Sequence, residues 1–286
     1  MSAEFWITQA FNGLSYGSLL FLLASGLSLI FGVMRIVNLA HGSYFMLGGY
    51  VGLSVVWRSG SFPAALLGGA VALALVGAGM ERFFLRRLTG QTLGQVLMTV
   101  GFALIFQDLA LLIWGGDPYA IPVPAPLQGV LVAGALRFPV YRIFIIVVAL
   151  VIGAALWLAL DRTRVGAMLR AAVDDREMAQ GVGIHVPLIS LGVFALGAAL
   201  AALGGVIGAG FLGVYPGADF EVLPYAFVVV IVGGLGSLPG AMVGSLLVGL
   251  LDNFGKALFP ELSYFTLFAP MALILALKPT GLFGRA

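Results

Sequence analysis

Cysteine is absent from this 286-residue chain, and histidine and lysine occur twice each. Without thiols there is no disulfide framework to stand in for a core. His41 and His185 alone offer no His/Cys ligand set for a metal. Charge is scarce too: 14 Lys/Arg and 12 Asp/Glu make up 9% of residues, against about 25% in soluble domains. So few charges cannot cover a water-facing surface. The net charge of +2 leaves no basic stripe for nucleic acid. A phosphate-binding loop needs G-x-x-x-x-G-K-[ST], and neither lysine satisfies it. Leu250 stands where the first glycine would precede Lys256, Ala257 follows it, and Lys278 runs into Pro279. Residues 1–8 carry Glu4 and no basic n-region, so they do not read as a secretory signal.

Apolar residues, by contrast, make up 61% of the chain, with a mean hydropathy of +1.12. A bilayer core needs roughly 20 apolar residues per helix. That ruler places spans at 8–33, 41–57, 62–80, 93–114, 141–160, 189–212, 225–238, 240–258 and 264–277. The expected fold is an all-α integral membrane protein, a polytopic bundle of eight or nine spans in one domain, 1–286. The seventh span is short and runs into the Gly/Pro-rich 233–240, so at least one span is broken. The Lys/Arg bias of the loops favours nine spans, N-terminus out and C-terminus in. Arg35, Arg82, Arg86, Arg87, Arg162, Arg164, Arg170, Arg176, Lys278 and Arg285 then lie inside. Glycine reaches 41 residues, and small-xxx-small spacings such as Gly13/Gly17, Gly48/Gly52 and Gly236/Gly240/Gly244 permit close helix crossings.

Two loops stand out. Residues 115–140 form an outer loop whose Pro118, Pro122, Pro124 and Pro126 keep its first half extended. Residues 161–187 form the longest cytoplasmic loop, with eight charged residues around an Ala/Met/Leu helical run. Its Ala171, Ala172, Asp175 and Ala179 share a small-residue face that another protein could approach. Candidate polar groups within the spans are few. Asn38 can accept a backbone N–H at the start of the second span, with His41 and Ser43 close behind. No nearby acid completes a His/Ser pair, so an enzyme site is not expected. Gln107 and Asp108 lie near the outer end of the fourth span, where a carboxylate is a candidate partner for an entering ammonium. Asp252 and Lys256 read as an i, i+4 salt bridge, and Asp219 and Glu221 make an outer loop at 213–224 acidic.

Several stretches carry a resemblance: 26–42 (GLSLIFGVMRIVNLAHG), 45–48 (FMLG), 163–166 (TRVG), Arg170-Ala171, 179–184 (AQGVGI), 233–240 (GGLGSLPG) and 278–284 (KPTGLFG). Read together, the chain resembles permease subunits of branched-chain amino-acid ABC importers. The resemblance implies a transport subunit without nucleotide chemistry or cofactor of its own, multi-pass in a bacterial inner or plasma membrane. It also implies two ATPase partners that hold ATP and Mg, a second permease (sister chain or identical copy), and a periplasmic or extracellular solute-binding protein. The cytoplasmic loop would be the coupling region seated on the ATPase, through Arg170, Ala171, Asp174, Asp175, Glu177, Met178, Ala179, Gly181, Gly183 and Ile184. The translocation path would draw on Asn38, His41, Gln107, Asp108, Gly233, Gly234 and Gly236. Urea or short amides are alternative cargoes on the same architecture. A gradient-driven carrier or channel is the rival class, weakened because coupling ions need acidic groups or unwound carbonyls near mid-membrane.

Overall fold

A computed structural model describes residues 2–284, apart from the side chains at positions 263 and 264; Arg285, counted above with the inner cations, lies outside them. Eleven α-helices occur among the described residues: α1 (Ala3–Met34), α2 (His41–Ser59), α3 (Phe62–Phe83), α4 (Thr92–Trp114), α5 (Val140–Arg162), α6 (Arg164–Asp174), α7 (Arg176–Gly181), α8 (Val186–Ala209), α9 (Ala218–Gly233), α10 (Leu238–Leu258) and α11 (Ser263–Leu277). Six of them, α1, α3, α4, α5, α8 and α10, are long and apolar enough to cross a membrane. The fold is an all-α membrane bundle. Its only strands among the described residues are β1 (Val130–Ala133) and β2 (Leu136–Pro139), an antiparallel hairpin between α4 and α5.

Helix α1 forms the centre. Its apolar residues surround it without a polar stripe, and a helix apolar on every side is buried. In its most apolar window 78% of residues are buried, against 17% in α5. Much of the apolar surface of α4 and α5, including Leu97, Leu112, Leu150 and Val151, points away from the bundle, as expected where lipid or another chain replaces water. Close approach at the centre depends on glycine. Gly26 of α1 and Gly197 of α8 face each other, and a Cβ on either would collide with the other's carbonyl oxygen. Such small-residue contacts provide the packing that a hydrophobic effect cannot supply between helices in lipid.

Local chemistry sets the ends. Ser2 accepts from the Phe5 N–H at the start of α1, and Ser61, Thr163 and Ser237 cap α3, α6 and α10 in the same way. The seventh element begins earlier than the sequence suggests. Residues 218–224, read as loop, form the first turns of α9, and Pro224 sits inside the helix. Asp219 and Glu221 therefore belong to a helical first turn, where carboxylates complement the helix dipole.

Candidate functional site

Between α1 and α2, residues 35–40 carry no helix. Arg35 turns the chain with φ 53°, and the segment climbs back along α1. His41 Nε2 lies 2.9 Å from the carbonyl oxygen of Leu23, a residue about 16 Å up the α1 axis from Met34. Six extended residues reach about 20 Å, enough for that climb. Helix α2 thus starts beside the middle of α1 rather than at its end. Asn38 Oδ1 accepts from the Ala40 N–H at 3.1 Å, and the Leu39 N–H donates to Thr99 Oγ1 of α4 at 3.2 Å. The irregular backbone is covered by protein, the condition for non-helical chain inside a bundle.

The first turn of α9 meets this start. Ser43 Oγ donates to Asp219 Oδ2 at 2.7 Å across 176 residues of sequence. The two helices touch because residue 42 is glycine: a Cβ there would collide with the Asp219 carbonyl oxygen and stand 3.1 Å from the Leu223 Cβ. Asn38, His41 and Ser43 are fully buried and Asp219 is 2% exposed. His41 Nδ1 and Asp219 Oδ1 have no hydrogen-bond partner, and Asn38 Nδ2 has only the nearby Tyr44 hydroxyl. The acid missing from the local sequence around Ser43 is therefore supplied by α9. It does not complete a Ser/His/Asp relay, because Ser43 donates directly to Asp219 and His41 is turned to Leu23.

Asp219 differs from the other buried carboxylates. Glu81 of α3 pairs with Arg86 at 2.6 Å. Asp252 of α10 pairs with Lys256 at 2.8 Å, as its spacing predicts, and also accepts from Tyr225 OH. Among the described residues, Asp219 alone is buried without a cation. The connection leading to it is anchored at Tyr119, which exchanges backbone hydrogen bonds with Val214. Tyr215 donates to Glu221 at 2.6 Å. Burial, reinforced by that carboxylate, pushes the Tyr215 phenol up to about 12, so it remains a donor at working pH.

The remaining path candidates are spread out. Gln107 Nε2 lies beside Gly217, immediately before α9, whereas Asp108 is exposed. Gly233, Gly234 and Gly236 sit at the far end of α9, about 21 Å from Asp219. There the chain terminus closes on them: Leu282 N–H donates to Val232 O and Phe283 N–H to Gly233 O. Gly236 abuts Gly32. The 26–42, 233–240 and 278–284 stretches, distant in sequence, meet at one end of the bundle.

At that end α6 and α7 form a hairpin. Asp175 caps α7 by accepting from Met178 N–H at 2.9 Å, and Gly183 turns the chain with φ 91°. Arg170 bonds the Leu160 carbonyl and joins Asp161 in an exposed pair. The small-residue face is turned inward, since Ala172, Ala179 and Val186 bury one another. Asp174, Asp175 and Glu177 are exposed, as is Gly181, while Ala171 and Ile184 are partly buried. The exposed apolar surface belongs to Val165, Met178 and Val182. One residue that sequence reasoning passed over is Glu81. Its partner Arg86 also donates to Pro187 O at 2.9 Å, tying the end of α3 to the start of α8 just after the hairpin. Only the Glu81-to-Arg86 spacing hints at this, and Pro187 lies 101 residues away.

Known proteins extend this geometry. The chain is 31% identical over 295 residues to the high-affinity branched-chain amino acid transport system permease protein BraD of Pseudomonas aeruginosa, covering 98% of this chain and 96% of that protein. It is 29% identical over 306 residues to the corresponding permease LivH of Escherichia coli, covering 100% and 98%. The ribose import permease RbsC of Escherichia coli is 28% identical over 302 residues, covering 95% and 84%. No solved structure matches. The family described as branched-chain amino acid transport system / permease component matches residues 9–277, and the chain belongs to that family.

Proposed function

We propose that the chain is the translocating subunit of an ATP-driven importer for branched-chain amino acids in a bacterial inner or plasma membrane. The observation that carries the reading is the near end-to-end similarity to two permeases named for that transport. Nine membrane crossings, with the N-terminus outside and the C-terminus inside, put the arginine-rich end and the α6–α7 hairpin in the cytoplasm. Two ATPase subunits, a second permease and a solute-binding protein complete the importer. ATP and Mg belong to the partners, since neither lysine of this chain stands in a phosphate-binding motif.

The hairpin is the coupling element. Met178 and Val182 offer an apolar contact, and Asp174, Glu177 and Arg176 orient it by charge. A push on α7 passes through His185, which caps α8 by accepting from Leu188 N–H, and through the Arg86–Pro187 tie into α3. The path runs along Asn38, His41 and Gln107 towards the glycine turn at 233–236, with Asp108 facing the second permease. Ribose is disfavoured as cargo, because a polyol requires more hydrogen-bonding partners than this apolar interior supplies.

The test is uptake of leucine into proteoliposomes holding the complete importer. Uptake should require ATP, the ATPase subunits and the binding protein. ATP-independent leucine movement by the isolated chain would instead make it a carrier.

A further inference from the structure

We infer that the α2–α9 junction recognises the charged ends of the cargo, with Asp219 receiving the ammonium group; this rests on the reading of the chain as an amino-acid permease. Open valences remain at the junction. His41 Nε2 faces a carbonyl oxygen and so carries the proton, which leaves Nδ1 of the neutral ring as an acceptor. Asp219 Oδ1 is a second open acceptor, and the Asn38 amide nitrogen is a donor with only the nearby Tyr44 hydroxyl to engage it. All three atoms are buried, and a buried polar atom without a full partner is expensive to maintain. A free amino acid presents the complementary set: an ammonium with three donors and a carboxylate with acceptors only.

Charge points the same way. Glu81 and Asp252 have cations of their own, whereas Asp219 has a hydroxyl. An intramembrane carboxylate lacking a counter-charge suits a cation that comes and goes. The first turns of α2 and α9 abut here, and their dipoles favour the cargo carboxylate beside Asn38. In this structure the junction is closed, with Gly42 seated on Asp219. Helix α9 is bounded by glycines with positive φ, Gly217 at 98° and Gly234 at 107°. For cargo to enter, α9 must part from α2. The apolar side chain of the cargo then needs no specific pocket.

The experiment uses the complete importer in proteoliposomes with leucine as probe. Asp219→Asn keeps the size of the side chain and one oxygen to accept from Ser43, removes the charge and turns the second acceptor into a donor. Leucine uptake should fall at least about tenfold, while ATPase stimulation by the loaded binding protein is retained and Asp219→Glu recovers part of the uptake. Uptake equal to wild type in Asp219→Asn overturns the inference. Because the chain has no native cysteine, Ser43→Cys supplies a second readout. A small membrane-permeant thiol reagent should label it during ATP turnover, more slowly when leucine is in excess. If Asp219→Asn does not assemble, this labelling decides: failure to react during turnover, or labelling indifferent to leucine, overturns the assignment. A wild-type importer that does not move leucine would instead defeat the functional reading.

Discussion

The α2–α9 junction and the α6–α7 hairpin hold their polar groups in opposite surroundings. At the junction Asn38, His41, Ser43 and Asp219 are sealed from solvent and packed to backbone contact. In the hairpin Asp174, Asp175, Arg176 and Glu177 are exposed, and only Ala172, Ala179 and Val186 form a small core. Substitutions at the first should therefore disturb packing, whereas those at the second should leave the fold intact and act on a partner. Size-conserving changes at the junction, such as Asp219→Asn, are the exception, since they spare the packing and act on transport.

The largest effect on stability is expected from Gly42→Leu, which drives a side chain into the α9 backbone and Leu223. A loss of about 3 kcal/mol should appear as a lower melting temperature of the solubilised chain. Glu81→Ala should come next, since it strands Arg86 beside Pro187. Arg86 is 33% exposed and keeps its bond to Pro187 O, which holds the cost to about 2 kcal/mol. Ser43→Ala removes the hydroxyl from Asp219 and should cost about 1–2 kcal/mol. A cost no larger than that of an exposed serine would show that the junction is not sealed. Gly183→Leu forces a branched residue to positive φ at an open position, costing about 1–2 kcal/mol. Met178→Asp should change stability by less than about 0.5 kcal/mol yet cut ATP-driven uptake roughly tenfold, the weight of one lost interface anchor. Undiminished uptake in both Met178→Asp and Glu177→Lys would remove the hairpin from coupling.

Legibility in the sequence followed the range of the interactions. The long apolar helices could be read because each satisfies its own backbone and needs only about 20 apolar residues. Helix α1, expected at 8–33, occupies Ala3–Met34, and the Asp252–Lys256 pair follows from helical spacing alone. Helix α9 begins before the expected 225 because Asp219, Glu221 and Pro224 keep residues 218–224 from reading as apolar span. Inside a bundle the single hydrogen bond that a proline forfeits is tolerated when neighbours cover the backbone. Asn38 and His41 stood out as polar groups in an apolar stretch, but nothing local tied them to Asp219. The inward turn of Ala172 and Ala179 likewise depended on α7 folding back against α8.

The sequence by itself determined that this is a helical membrane protein of the permease family, because apolar run length and contiguous motifs are local properties of the chain. Only the tertiary structure decided that α2 begins beside the middle of α1 and that Asp219 is buried against Ser43. Those contacts join residues 18 and 176 positions apart, and they form only when glycines let three helices approach until backbone meets backbone.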